Sequence, residues 1–112
     1  MKIETKQNGD VSILILTGFF TMNLGENIIK HLITDTLNSG VRKIILEFKE
    51  VQFINSAGIG ELVGSYISVS NRGGQIKLCG LPDKILKMLN ITRLISIFDI
   101  YKTEEEALAS FK

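Results

Sequence analysis

Val51-Gln52-Phe53-Ile54-Asn55-Ser56-Ala57-Gly58-Ile59-Gly60-Glu61-Leu62 follows a strand signal and opens a helix. Asn55 or Ser56 stands where an N-cap is needed, because its side-chain oxygen can accept a bond from a free backbone N–H. The helix then carries Gly58, Gly60 and Gly64, and each interior glycine costs about 1 kcal/mol relative to alanine. On a helical wheel, Ile59, Leu62, Val63, Tyr66 and Ile67 share the core face. Ala57, Gly60, Glu61, Gly64, Ser65 and Ser68 share the other. That second face is nearly bare of bulk. It allows another backbone to approach closely, beside a hydroxyl at a helix N-terminus. The same glycines could instead serve intramolecular packing or the tight turn into the helix.

Strand and helix signals alternate on either side of this stretch. Ile3 to Lys6 alternates apolar and polar residues, Asn8-Gly9-Asp10 is a turn signal, and Val11 to Leu16 is β-branched and apolar. Together these predict an antiparallel hairpin. Asn23 with Glu26 forms a capping-box-like pair ahead of Ile28, Ile29, Leu32, Ile33 and Leu37 at helical spacing. Lys43 to Phe48 predicts a strand covered on both faces. Gln75 to Gly80 predicts another, and Ile97 to Tyr101 the last. Pro82 fits the first turn of a short helix carrying Ile85, Leu86 and Leu89. Thr103 with Glu106 caps a C-terminal helix containing Ala107, Leu108 and Phe111. The order β-β-α-β-α-β-α-β-α gives an α/β fold. It is a small mixed sheet with an N-terminal antiparallel hairpin and parallel crossovers, backed by about four helices. Residues 1–112 read as one domain.

Composition narrows the function. Thirteen Lys+Arg against twelve Asp+Glu leave a net charge of +1, which argues against nucleic acid or an anionic membrane as the main partner. One cysteine and one histidine argue against a disulfide framework and a His/Cys metal site. The polar N-terminus and the short apolar runs predict no secretory signal and no membrane span, so the expected compartment is the cytoplasm. His31 lies with Lys30 and Asp35 on a polar helix face, and Cys79 lies inside an apolar strand. Gly58-Ile59-Gly60 lacks the Gly-Lys-Ser/Thr of a phosphate loop. No catalytic set is evident, and the expectation is a binding protein rather than an enzyme.

The segment Phe53-Ile54-Asn55-Ser56-Ala57-Gly58-Ile59-Gly60 resembles the Asp-Ser-(Ser/Thr/Ala)-Gly-(Leu/Ile)-Gly signature of STAS-domain anti-sigma factor antagonists. The resemblance extends to Leu16-Thr17-Gly18, read as a strand exit, to the Gly73-Gly74 turn, and to Leu89-Asn90-Ile91-Thr92-Arg93-Leu94. That last stretch looks like the family's Leu-Phe-Asp-(Ile/Met)-(Thr/Ser)-Gly-Leu element. The resemblance implies the STAS fold and partner switching. Such an antagonist binds a cytosolic anti-sigma factor that is also a serine kinase of the GHKL type, and so frees the sigma factor. The kinase phosphorylates the serine after the motif's Asp, which is Ser56 here, and a phosphatase reverses this. ATP belongs to the kinase, and no cofactor is expected on this chain. The implied partner surface is Thr21, Asn55, Ser56, Ala57, Gly58, Gly60, Glu61 and Gly64. The sequence departs from the pattern at Asn55, where the motif is acidic, and at Phe19 and Thr21, where the family carries acidic residues. The other reading is a constitutive STAS interaction, scaffold or ligand-binding module in which Ser56 only caps the helix.

Overall fold

The computed structural model describes residues 2–21 and 28–111. The chain runs β1 (Lys2–Asn8), β2 (Val11–Phe20), α1 (Ile28–Asn38), β3 (Lys43–Ile54), α2 (Ser56–Asn71), β4 (Gln75–Cys79) and α3 (Asp83–Ile91). A 3-10 turn (Leu94–Ser96), β5 (Asp99–Tyr101) and α4 (Glu104–Ala109) complete it. The five strands lie in the order β1-β2-β3-β4-β5, with β1 antiparallel to β2 and every other pairing parallel. Gly9, at φ +62°, supplies the left-handed residue that the two-residue hairpin needs. The expected mixed sheet with four helices is the observed one.

Strands added in sequence order through crossovers of one hand place the crossover helices on one face. Ile29, Ile33 and Leu37 of α1, Ile59, Leu62 and Val69 of α2, and Ile85 and Leu89 of α3 bury against Leu14, Leu16, Ile44, Leu46 and Leu78. The opposite face holds a smaller cluster. Ala107 of α4 packs on Val11, Ile13, Ile45 and Cys79, with Leu108 and Phe111 beside it. Lys77 lies under this helix, only 6% exposed. Its ammonium donates to Ser110 Oγ at 2.8 Å and sits 4.5 Å from the Phe111 ring centroid. A hydrogen bond and an aromatic face thus replace part of the water it has lost.

Several boundaries move. β2 continues past Leu16 to Phe20, so Leu16-Thr17-Gly18 lies inside a strand rather than at its exit. β3 continues past Phe48 to Ile54. Register shifts between Ile15 and Thr17 and between Gly18 and Phe19 break the two-residue alternation, which hides the strand from a periodicity reading. Ile97 falls outside β5, after the 3-10 turn. On α2, Ile67 is half-exposed rather than in the core. Ser65 is fully buried rather than on the bare face, and its hydroxyl donates to the Glu61 carbonyl one turn back at 2.9 Å. The Asn23–Glu26 cap lies outside the described residues. The Thr103 cap is present, with Glu106 N–H donating to Thr103 Oγ1 at 3.1 Å. His31 is exposed, and Cys79 is fully buried.

Candidate functional site at the start of helix α2

The turn from β3 into α2 is held by three bonds of Asn55. Its backbone N–H donates to the Phe20 carbonyl at 3.3 Å, which ties the ends of β2 and β3 together. Its carbonyl accepts from Ile59 N–H at 2.9 Å, the first bond of the helix. Its Oδ1 accepts from Gly58 N–H at 2.8 Å. Asn55, with extended backbone, is therefore the N-cap, and the choice between Asn55 and Ser56 is resolved. Ser56 is the first helical residue. Its exposed hydroxyl stands among the helix's leading N–H groups, where the helix dipole favours negative charge.

The three glycines do different jobs. Gly58 is buried, and a β-carbon there would collide with the Phe20 carbonyl and ring. It therefore leaves the candidate surface and serves the close approach of α2 to β2. Gly60 and Gly64 have open space where a β-carbon would sit. With exposed Ala57, they make the bare stripe that the sequence suggested. Glu61, beside that stripe, accepts from the Lys30 backbone N–H at the start of α1 (3.2 Å) and so joins the two helices. Thr21 is half-buried immediately after β2. The structure thus gathers Ser56, Ala57, Gly60, Glu61 and Gly64 on the outside of α2, and turns Gly58 inward.

Sequence reasoning missed Phe53. Phe19 and Phe53 are register partners on β2 and β3 and are 57% and 48% exposed, whereas the next pair, Phe20 and Ile54, is fully buried. Once β3 is known to reach Ile54, alternation gives the outward direction of Phe53. The strand signal stops at Phe48, just before the charged pair Lys49-Glu50, so it does not reach Phe53.

Elsewhere, a cavity of about 630 Å³ opens beyond the C-terminal ends of β4 and β5. It is lined by Glu47, Lys49, Leu81, Leu86, Tyr101 and Lys102 among others, and none of its lining comes from the Ser56 surface. Burial, and then the neighbouring Glu47 carboxylate, push the Cys79 thiol well above the ordinary thiol range. Its Sγ donates to Glu47 Oε2 at 3.4 Å. Among the described residues, no three His, Cys, Asp or Glu side chains are grouped to hold a metal ion, and no helix is long and apolar enough to cross a membrane.

The STAS domain family model matches residues 2–107. The chain belongs to the STAS domain family. Across its full length it is 24% identical to the anti-sigma F factor antagonist of Paenibacillus polymyxa, covering 96% of that protein. The crystal structure of a candidate anti-sigma factor antagonist from Thermotoga maritima superimposes with a TM-score of 0.86 at 32% identity. That match covers 96% of this chain and 92% of the other. The phosphorylated form of the Bacillus cell-fate determinant SpoIIAA shares the fold, with a TM-score of 0.75 at 20% identity over 99% of this chain and all of that one. These STAS relatives are non-enzymatic regulatory binding domains, and this STAS domain is likewise not an enzyme.

Proposed function

We propose that this STAS domain is an anti-sigma factor antagonist. In this reading it binds a cytosolic anti-sigma factor that is also a GHKL-type serine kinase, and so frees a sigma factor. Phosphorylation of Ser56 ends the association, and a phosphatase restores it. ATP is used by the kinase, and the STAS domain itself carries no cofactor. The single observation behind this reading is the exposed Ser56 hydroxyl at the first turn of α2, bordering the bare stripe of Ala57, Gly60 and Gly64. The name of the Paenibacillus relative, and the existence of SpoIIAA in unphosphorylated and phosphorylated forms, support it.

The physics of such a switch follows from position. A phosphate brings about −1.5 to −2 charges and three acceptor oxygens at pH 7. At the start of a helix the dipole and the free N–H groups accommodate an anion, so the fold is retained. Facing a partner, the same group is bulky and strongly hydrated, and every 1.4 kcal/mol of lost contact is tenfold in affinity.

A second reading, a constitutive interaction or ligand-binding module, is favoured by one observation. Asn55, Phe19 and Thr21 give Ser56 no acidic neighbour at the positions where the family pattern is acidic. Incubation with the candidate kinases and ATP, followed by intact-mass measurement, separates the two. One added phosphate on Ser56 supports the switch. A Ser56→Asp variant with a native circular dichroism spectrum and no partner binding supports rejection at the interface. No phosphate with any candidate kinase sinks the switched version.

A further inference from the structure

We propose that the partner's footprint runs beyond Ser56 onto Phe19 and Phe53, and that the partner meets this rim with an uncharged, apolar pocket rather than with ionic groups. The inference rests on the antagonist reading and specifies the chemistry of the partner.

Phe19 and Phe53 stand side by side at the C-terminal end of the sheet, on the face away from α1 and α2. Among the described residues, the cluster beneath α4 on that face is Val11, Ile13, Ile45 and Cys79 with Ile15 and Tyr101 beside it, and it does not include Phe19 or Phe53. The two rings are therefore left half-exposed next to each other, whereas isolated surface phenylalanines would need no account. The rim is continuous with the Ser56 surface. Phe53 precedes Ser56 by three residues, Phe19 precedes Thr21 by two, and the Asn55 N–H to Phe20 carbonyl bond locks the strand ends to the start of the helix. Aromatic side chains in such a place are the usual anchors of protein interfaces.

Charge supplies the second argument. Neither Thr17–Thr21 nor Val51–Gly60 holds an ionisable side chain. Among the described residues, the flanking carboxylates are Glu50, in register with Thr17, and Glu61, which is engaged with the Lys30 N–H. Among the described residues, a partner meeting Phe19, Phe53 and Ser56 has no ion pair to make at the centre of this surface. A phosphate on Ser56 would then place a charge among the uncharged described residues around Phe19, Phe53 and Ser56, where desolvating it is costly.

The test is calorimetric titration of wild type, Phe19→Ser, Phe53→Ser and Phe19→Leu against each candidate anti-sigma factor, at about 0.1 and 0.5 M NaCl. Each serine variant should bind about tenfold or more weakly with an unchanged thermal melt, and the leucine variant should stay within about threefold. Wild-type affinity should change by less than about threefold between the two salt concentrations, and the heat capacity change of binding should be negative. Serine variants that bind like wild type, or a tenfold loss of wild-type affinity at high salt, overturn the inference while the antagonist reading stands. Wild type that binds none of the anti-sigma factors removes that reading, and this inference falls with it. Self-association of wild type that Phe19→Ser abolishes would make a second copy of the chain the occupant, which also overturns it.

Discussion

A β-carbon on Gly58 would press into the carbonyl oxygen of Phe20, 2.9 Å from that residue's ring Cδ1 and 3.0 Å from Ile54 Cγ1. Helix α2 can start where it does only because residue 58 has no side chain. Gly58→Ala gains about 1 kcal/mol of helix propensity but forces two backbones apart, so it should destabilise by about 1–3 kcal/mol net. Gly60→Ala and Gly64→Ala meet open space and should each stabilise by up to about 1 kcal/mol. Urea unfolding of the three variants checks the order. Equal effects at all three positions would remove the division between a packing glycine and surface glycines.

The cap on α2 belongs to Asn55. Asn55→Ala loses the bond to Gly58 N–H and should cost about 1 kcal/mol, whereas Asn55→Asp keeps an acceptor oxygen and should stay within a few tenths. Ser56→Ala removes no cap and should leave the midpoint nearly unchanged. A Ser56→Ala loss as large as that of Asn55→Ala would reverse the assignment.

Arg93 has φ +63° and is the only non-glycine residue with positive φ among the described residues. Its place corresponds to the glycine of the family's Leu-Phe-Asp-(Ile/Met)-(Thr/Ser)-Gly-Leu element. A left-handed backbone costs a side-chain-bearing residue about 1–2 kcal/mol, and glycine's larger unfolded-state entropy offsets part of that gain. Arg93→Gly should therefore stabilise by about 0.5–1 kcal/mol, read as a raised thermal midpoint. A lowered midpoint would show that the Arg93 side chain makes up for its backbone strain.

Cys79 gives the protein a signature in base. Its thiol is held above the ordinary value of 9.0 in the folded state, so the unfolded chain loses this proton first. The contribution to stability is fully present below pH 9 and declines as pH rises above it. Relative to Cys79→Ala, the slope should be near zero at pH 8 and approach about −1.4 kcal/mol per pH unit well above pH 9. Denaturation of both proteins between pH 8 and 10.5 measures the difference. In the native state at pH 8 the thiol should also resist a disulfide-exchange reagent and react on unfolding, because it is fully buried. Rapid native-state reaction would contradict that burial.

The element order was legible from the residues because each helix carries its apolar positions at a helical period and each turn has its own chemistry. Asn8-Gly9-Asp10 and the Thr103–Glu106 pair are local devices, and both form where expected. The far ends of β2 and β3 were not legible. Their bulged pairing shifts the alternation, and only contact between strands distant in sequence decides which of Phe19 and Phe20, or Phe53 and Ile54, points outward. The candidate site divides in the same way. Local spacing placed Ser56 and its glycines at the start of a helix. The packing of α2 on Phe20 decided that Gly58 is interior, and the adjacency of α1 gave Glu61 its bond to Lys30. Sequence determined the periods and the caps, since these depend on neighbours a few residues apart. Tertiary structure decided which glycines are surface and which aromatic rings face solvent, since that depends on surfaces brought together only by folding.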